Sequence, residues 1–358
     1  MPPLPLYKGR GATINAASLR FDDPARIADG DWLDDREHLD DEAPPLRTSV
    51  TVEHPRTIIT RNRSPDIPFN QSINAYRGCE HGCIYCFARP THAYLNLSPG
   101  LDFESRLFAK PDAARLLKAE LGKRGYKPDV LALGTNTDPY QPIEMRYRIT
   151  RSILQLLSEC EHPTAITTKS ARILHDLDLL ASLAARGLLS VVISVTSLDP
   201  QTTRLMEPRA ASPKQRLLTI RKLAEAGIPT YASLSPIIPA INDHEIENIC
   251  AAVADAGAAG AYSIMIRLPQ EVAPIFRAWL STHYPDRAKK VMALIQDMRG
   301  GQDNSPDFFD RFLPQGPYDA MLRARFVAAR RKHGLDRPQP PLRTDRFRPP
   351  PGDQGRLF

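Results

Sequence analysis

Three of the five cysteines of this 358-residue chain, Cys79, Cys83 and Cys86, lie close together at C-x3-C-x2-C spacing. This spacing excludes a disulfide framework, because three neighbouring thiols leave one unpaired and disulfide scaffolds are shorter chains. A structural zinc site needs four protein ligands, and Cys160 and Cys250 lie far along the chain in predicted helices. Three thiolates without a fourth favour an iron–sulfur cluster with one iron open to an outside ligand. Zinc stays open as the alternative, since soft thiolates suit both.

The overall composition sets looser bounds on function. The formal net charge is +6, which fits either a polyanionic partner or a solvated Arg-rich surface. The chain shows no long apolar run and no signal-peptide pattern, which predicts a cytoplasmic protein without a membrane segment. A reducing cytosol also keeps thiols available for a cluster.

Changes in composition and periodicity divide the chain into four parts. We expect an irregular N-terminal extension with two short strands, an α/β core, a helical C-terminal region, and a disordered tail rich in Pro and Arg. Their bounds are 1–70, 71–270, 271–333 and 334–358, with the two extension strands at 48–52 and 56–60.

Within the core, six β-like runs alternate with amphipathic helices, which predicts parallel β/α units with right-handed crossovers. Periodicity does not decide between an open barrel and a doubly wound sheet. The predicted strands are 72–77, 129–133, 164–168, 190–195, 230–234 and 261–267. The predicted helices are 111–124, 149–160, 171–186, 213–226 and 243–256, followed by 271–282, 285–299 and 318–332.

With Tyr85 in the aromatic place before the third cysteine, the loop reads C-x3-C-x-aromatic-C and resembles the radical S-adenosylmethionine (SAM) enzymes. The flanking residues 76–78 and 87–89 are most similar to the spore photoproduct lyase-related branch. The resemblance implies a partial (β/α)6 barrel in which Cys79, Cys83 and Cys86 ligate a [4Fe-4S] cluster and SAM chelates its open iron. An external donor of the flavodoxin or ferredoxin type then supplies the electron that cleaves SAM to methionine and a 5′-deoxyadenosyl radical.

Ligands of such barrels gather at the C-terminal ends of the strands. The second core strand ends in Gly134, Asn136, Thr137 and Asp138, where the family carries a Gly-Gly-Glu segment that binds the SAM amino group. The glutamate is absent here, so the resemblance offers Asp138 as the carboxylate for the ammonium group. The alternative is an ordinary turn, since Asn and Asp are common turn residues.

The ends of the next three strands, and the segments that follow them, add further candidates. Lys169 is expected to hold the SAM carboxylate or a substrate phosphate, and its alternative is an ordinary exposed lysine. Ser194 and Thr196 lie on one face of their strand by the period of two, as candidates for the SAM ribose and carboxylate, which Arg209 is also expected to reach. Ile238 stands in a segment similar to the family's G-x-I-x-G-x-x-E, with both glycines replaced, and is expected to pack on adenine together with Tyr85.

The branch resemblance implies a DNA- or nucleic-acid-related substrate, in repair or modification. Spore photoproduct lyase uses a further cysteine as hydrogen donor, but Cys160 and Cys250 lie in helices, which puts that particular reaction in doubt. Tyr76 and Tyr140, both expected near the mouth of the cavity, are the candidate donors instead. Radical modification of a protein or small metabolite is one alternative, and a non-catalytic metal-bearing nucleic-acid-binding protein is another.

The C-terminal residues Gln354, Leu357 and Phe358 resemble the Q-x-x-L-F peptide by which bacterial repair proteins dock on the replicative sliding clamp. A Pro-rich tail could present such a peptide away from the core. The alternative is a chance match, because short motifs give many false positives.

Overall fold

The computed structural model describes residues 6–18, 20 and 46–351. Its strands are β1 (Ser49–Val52), β2 (Ile59–Arg61), β3 (Gln71–Ile73), β4 (Tyr76–Arg77), β5 (Arg106–Ala109), β6 (Leu131–Leu133), β7 (Thr164–Thr168), β8 (Leu189–Ser194), β9 (Thr230–Ile237) and β10 (Gly260–Met265). Its α-helices are α1 (Leu101–Ser105), α2 (Ala113–Leu121), α3 (Glu144–Tyr147), α4 (Ile149–Glu159), α5 (Leu177–Ala185), α6 (Pro200–Met206), α7 (Pro213–Glu225), α8 (Ile246–Asp255), α9 (Val272–His283), α10 (Pro285–Asp297) and α11 (Pro317–Lys332). Short 3₁₀ helices span Arg89–Leu95, Ala171–Asp176 and Asp243–Glu245.

Six parallel strands form the main sheet in the order β3-β6-β7-β8-β9-β10, and β2 pairs antiparallel with the outer edge of β3. Neighbours in the sheet follow chain order, as successive β/α units with crossover helices require. Among the described residues no ladder joins β10 to β3, so the sheet curves but stays open on that side. The predicted partial (β/α)6 barrel is confirmed.

The two faces of β8 show how the sequence specifies this curved sheet. Leu189, Val191 and Ile193 belong to the main hydrophobic core, while Ser194 and Thr196 alternate with them on the opposite face. Side chains of a strand alternate between faces, so the apolar face packs against the surrounding helices and small polar side chains line the inner face. The inner face of this strand segment therefore carries polar side chains at Ser194 and Thr196.

The helix ends follow local capping signals. The Ser212 side chain accepts a hydrogen bond from Gln215 N, Pro213 occupies the first turn of α7, and Gly227 follows the helix with φ of 72°. Ser or Thr at the N-cap and Gly in the left-handed conformation after the last turn are the preferred terminators. The same logic ends α5 at Gly187, where φ is 71°.

The second sheet has the order β1-β5-β4 and lies next to the cysteine loop. β1 pairs in parallel with β5, through Ser49 opposite Arg106, and β2 pairs with β3 of the main sheet. Both strands expected in the N-terminal extension are thus present, and they are built into the sheets of the core. Local propensity predicts such strands but does not identify the distant strands with which they pair.

The segment after α11 corrects an expectation. Residues 335–351 run in an ordered course along the outside of the barrel, where Arg343 N donates to Gly187 O at 3.0 Å and Arg348 N donates to Cys160 O at 2.8 Å. Phe347 packs its ring 5.3 Å from that of His162. The predicted disorder is wrong up to residue 351, because these backbone hydrogen bonds and one aromatic anchor leave little trace in a Pro/Arg-rich composition. Gln354, Leu357 and Phe358 lie outside the described residues.

No helix within the described ranges is long and apolar enough to cross a membrane.

Candidate functional site

The cysteine loop connects β4 to the 3₁₀ helix at Arg89–Leu95 and depends on its glycines. Gly78 has φ of 73°, and a Cβ there would lie 2.8 Å from Phe103 O and 2.9 Å from His92 Cε1. Only glycine adopts this conformation at so close an approach without strain. The loop buries Cys79 and Cys83 and leaves Cys86 half-buried.

A buried ion pair clamps this loop. The Arg89 guanidinium is fully buried, lies 2.5 Å from Glu104 Oε1, and donates to the carbonyls of Gly82 at 3.1 Å and Cys83 at 2.9 Å. Fixed donors on two loop carbonyls restrict the loop to one shape, since a buried carbonyl without a donor is costly. Arg89 is a positioning residue whose role sequence reasoning missed, although it directly follows the cysteine motif.

The N-terminal segment closes the same clamp from the other side. Gly11 N and Ala12 N each donate to the Glu104 carboxylate at 2.8 Å. A Cβ on Gly11 would lie 1.9 Å from Gly82 O, so this segment is packed directly on the cysteine loop. The beginning of the predicted extension is therefore part of the site.

Burial affects the protonation of the loop thiols. Burial raises the pKa of Cys83 to about 12 and the pKa of Cys86 above its ordinary value, so both are protonated until a metal displaces the protons. In an iron–sulfur cluster each cysteine ligates its own iron, so a donor set of three thiols on one loop fits the cluster.

The loop after β6 is fastened to the cysteine loop. Thr137 Oγ1 donates to Gly78 O at 2.7 Å, and Gln141 Oε1 accepts from Glu80 N at 3.0 Å. Gly134 has φ of 92°, and a Cβ there would lie 2.0 Å from Thr167 O. The Asn136 side chain is exposed at the tip of this loop.

Asp138 is saturated by contacts within the protein. Its carboxylate accepts hydrogen bonds from Thr168 Oγ1 at 2.7 Å, Lys169 N at 2.8 Å and Tyr140 N at 2.9 Å, and His81 Nδ1 lies 3.3 Å away. Burial by itself raises the pKa of Asp138, but His81 and the hydrogen-bond donors outweigh burial and lower that pKa to about 2. These contacts match the turn alternative and leave no free lone pair aimed at an ammonium group.

A second buried ion pair brings together several of the predicted SAM residues. The Glu207 carboxylate pairs with Arg216 and accepts hydrogen bonds from the Tyr85 hydroxyl and, at 2.8 Å, from Thr196 Oγ1. Arg216 in turn donates to Ser194 O at 3.1 Å. Tyr85, Ser194 and Thr196 therefore meet at one place.

Lys169 completes this group. Its Nζ lies 5.8 Å from the centre of the Tyr85 ring and donates no hydrogen bond to any described residue. Burial lowers the pKa of Lys169, but Cys83 and Glu207 reverse that effect, and the net pKa is raised. The ammonium group is thus a stable cation inside the site, available to an anionic ligand.

Sequence reasoning missed Glu207 and Arg216. Arg216 lies in the first turns of α7, where an arginine reads as an ordinary surface residue, yet it is 1% exposed. Glu207 directly follows α6, in a segment without a recognisable motif. The one available sequence signal was that Glu207 follows β8, a strand with polar side chains on one face.

Ile238 and Arg209 differ in how well they match expectation. Ile238 is fully buried in the hydrophobic cluster that contains Cys83 and Tyr85, and its N–H donates to Asn242 Oδ1 at 2.6 Å. Arg209 Nη1 pairs with Glu80 Oε1 at 3.2 Å, so its charge is already partly neutralised.

Tyr76 and Tyr140 are not at the mouth of the cavity. Both are 1% exposed in the main core, where Tyr76 hydrogen-bonds Glu144 and Tyr140 donates to Asp176 at 3.1 Å. The expectation of two hydrogen-atom donors near the mouth is wrong, because both tyrosines are buried core residues whose hydroxyl groups already have hydrogen-bond partners.

Known proteins share sequence or fold with this chain. The Radical SAM superfamily profile matches residues 73–253. An uncharacterized protein of Mycobacterium tuberculosis is 34% identical over 280 residues, which cover 77% of this chain and 78% of that protein. An uncharacterized protein of Methanocaldococcus jannaschii is 30% identical over 173 residues, covering 48% and 62% of the two chains. A mutant of spore photoproduct lyase superposes with a TM-score of 0.54 at 15% identity, over 79% of each chain, which is a likeness of fold.

Proposed function

This chain belongs to the radical SAM superfamily, and on that premise we propose that it abstracts a hydrogen atom from a nucleic-acid-related substrate. Enzymes of the superfamily use a [4Fe-4S] cluster and SAM, and these are the cofactors of this protein. When bound, they supply a 5′-deoxyadenosyl radical. The observation that carries the proposal is the set of three free thiols on one clamped loop, beside the half-buried cation of Lys169.

We assign cluster ligation to Cys79, Cys83 and Cys86. All three are free thiols on a loop whose shape is held by Gly78 and by the Arg89 guanidinium. The protonated thiols must lose their protons when the cluster binds, which couples cluster assembly to pH. The remaining open iron position is the place for SAM.

Around that position, Lys169 serves to hold the SAM carboxylate, because it is half-buried with its ammonium group beside Tyr85 and without a described acceptor. Ile238 and Tyr85 offer the apolar surface for adenine, since they share one hydrophobic cluster with Cys83. Tyr85, with its hydroxyl held by Glu207, is fixed in orientation.

The remaining candidates divide into contact and positioning residues. Gly134, directly after β6, and Asn136, at the loop tip, are assigned to the SAM amino group. Thr137 and Asp138 hold that loop against Gly78 and β7 and act through it. Ser194 and Thr196, which the sequence also offered as SAM contacts, position the Glu207–Arg216 pair. Thr196 Oγ1 donates to Glu207, and Ser194 O accepts from Arg216.

Anaerobic reconstitution tests this assignment directly. Iron and sulfide counts, the visible spectrum and 5′-deoxyadenosine release by chromatography are measured in wild type, in Cys83→Ala and in Cys160→Ala. Cys160 is a buried helix-end thiol outside the site and serves as the matched control. Loss of both cluster and product in Cys83→Ala alone supports the proposal, whereas zinc in place of iron in wild type contradicts it.

A nucleic-acid-related substrate, in DNA repair or modification, is supported by the net charge of +6 and by the fold shared with spore photoproduct lyase. The electron donor is assigned to the flavodoxin or ferredoxin type, and Gln354, Leu357 and Phe358 to sliding-clamp docking. Protein or small-metabolite modification is the competing substrate class. Incubation with SAM, reductant and either oligonucleotides or peptides, followed by mass spectrometry, separates the two classes.

A further inference from the structure

A cationic cleft lies at the C-terminal end of β10, next to the cysteine loop. The guanidinium carbon of Arg267 lies 4.4 Å from the centre of the Phe312 ring and 6.0 Å from that of Phe87. Phe87 directly follows Cys86. The cleft is therefore within a few residues of the proposed cluster loop.

Arg267 is the cation that its neighbours leave without a counter-ion. Arg311 pairs with Asp66 at 2.6 Å through Nε, and Arg299 donates to Ile266 O at 2.7 Å. Among the described residues Arg267 has no ion pair and no hydrogen-bond acceptor, and its Nε is buried. Burial, with Arg311 and Arg299 nearby, lowers the pKa of Arg267 to about 10.

The space in front of Arg267 is large enough for a polymer segment. The cleft has a volume of about 700 Å³. One carboxylate lines it, that of Asp303, and this is held by Arg277 at 2.5 Å and by Gln296 at 3.0 Å. Amide side chains complete the lining, at Gln270, Gln302 and Asn304. A phosphate entering here meets donors and an unneutralised cation.

Exposed aromatic rings flank the same cations. Phe87 and Phe308 are 51% and 53% exposed, and the Arg311 guanidinium lies 5.1 Å from the Phe308 ring. Apolar rings rarely stay exposed in such a group without a partner. Aromatic platforms interleaved with arginines are typical of sites that bind single-stranded nucleic acid by stacking bases and pairing phosphates.

We propose that the Arg267 cleft binds a backbone phosphate of a single-stranded nucleic acid segment, with a neighbouring base stacked on the ring of Phe308. The proposal rests on the proposed function and names the surface that presents the substrate to the cluster loop. A recessed guanidinium between two rings suits a narrow polyanion better than the broad acidic face of a protein electron donor.

Anaerobic fluorescence anisotropy with a fluorescein-labelled oligothymidylate tests the site in the reconstituted full chain. Arg267→Gln should weaken binding about tenfold or more, since it removes charge-assisted hydrogen bonds. It should also reduce the slope of log affinity against log salt by about 0.7, the value for one phosphate on a single strand. The matched control Arg221→Gln removes an equal charge from an exposed position on α7 and should change neither quantity.

Phe308→Ala provides a second variant for the case that Arg267→Gln fails to fold, because Phe308 is half exposed. It should weaken binding at least several-fold through lost stacking while the salt slope stays at the wild-type value. Iron content and thermal unfolding are measured in each variant, so that a folding defect is recognised.

Each outcome decides between the claims. If wild type binds neither oligothymidylate nor oligouridylate, both the cleft and the nucleic-acid part of the proposed function are overturned. If wild type binds but Arg267→Gln and Phe308→Ala match the control, the cleft alone is overturned. If Arg267→Gln instead raises the KM for a flavodoxin-type reductant and spares oligonucleotide binding, the cleft is an electron-donor dock and the proposal is wrong.

Discussion

Two Arg–Glu ion pairs of the same chemistry flank the cysteine loop, and they differ in what else they bind. The Arg89–Glu104 pair is fully buried, and the Arg89 guanidinium also donates hydrogen bonds to backbone carbonyls, including those of Gly82 and Cys83. Arg216–Glu207 is equally buried, but its carboxylate accepts from the Tyr85 side chain on the inner side of the site. A buried ion pair by itself contributes little net stability. Its other hydrogen bonds therefore decide whether it shapes a loop or orients a ligand-binding side chain.

The largest effect is expected from the loop-shaping pair. Arg89→Gln leaves the Glu104 carboxylate buried without its cation and should lower the free energy of unfolding by about 3–5 kcal/mol. Iron content should fall with it, because the loop loses donors on two carbonyls. Chemical denaturation and iron analysis measure both, and Arg89→Gln combined with Glu104→Gln, which removes the orphaned charge, should recover part of the stability. Wild-type iron content in the single variant would contradict the loop-shaping role.

The Glu207→Gln variant sharpens the comparison. It removes the anion opposite Arg216 while keeping an oxygen for the Tyr85 hydroxyl, so stability should fall, by up to about 3 kcal/mol. Iron per folded chain should stay near the wild-type value, whereas SAM affinity should drop. Isothermal titration of reconstituted protein measures this split. Equal loss of iron in Glu207→Gln and Arg89→Gln would mean that the two pairs play one structural role.

A smaller effect is expected at the free cation. Lys169→Met removes one charge-assisted contact to the SAM carboxylate and should weaken SAM binding on the order of tenfold. The matched control Lys222→Met changes an exposed lysine on α7 and should bind SAM like wild type. Binding of a decarboxylated SAM analogue should be insensitive to Lys169→Met. Sensitivity of that analogue would remove the carboxylate assignment.

A pH dependence of stability is also expected, which neither ion pair produces. Burial lowers the pKa of His92, beside the cysteine loop, and of His162, beneath the C-terminal segment, from 6.5 to about 4. The unfolded chain binds more protons than the folded one between these values, so stability is full above pH 6.5 and is lost as the pH falls towards 4. The expected slope is about 1.4 kcal/mol per pH unit for each histidine.

Denaturant titrations across that range check this expectation. His162→Gln should reduce the slope by one proton between pH 6.5 and 4. An unchanged slope in His162→Gln would show that this imidazole is not neutral in the folded protein.

The parts that were predictable from sequence are those where local and global signals agree. β7 has the predicted bounds, and α7 differs by one residue, because apolar period and caps coincide there. The expectation at Asp138 named the right loop but could not show that Thr168 and Lys169 occupy its oxygens. Such saturation depends on side chains brought from another strand.

Contacts between distant segments account for the remaining differences. Phe347 packs on the ring of His162. The adjacent Arg346 donates a hydrogen bond to Glu161, which lies 185 residues earlier in the chain. Composition alone predicted disorder there. The Arg267 cleft likewise combines β10, the residue after Cys86 and the segment around Phe312, and no stretch of sequence contains all three.

The central claim is that Cys79, Cys83 and Cys86 hold a cluster with one iron open to SAM. Electron paramagnetic resonance of the chemically reduced, reconstituted protein, recorded with and without SAM, tests this claim most directly. We expect the signal of one reduced [4Fe-4S] cluster per chain. Its g values should shift when SAM is added, and Cys160→Ala should show the same shift. A cluster signal that is indifferent to saturating SAM, or a protein that retains zinc and no iron, would contradict it.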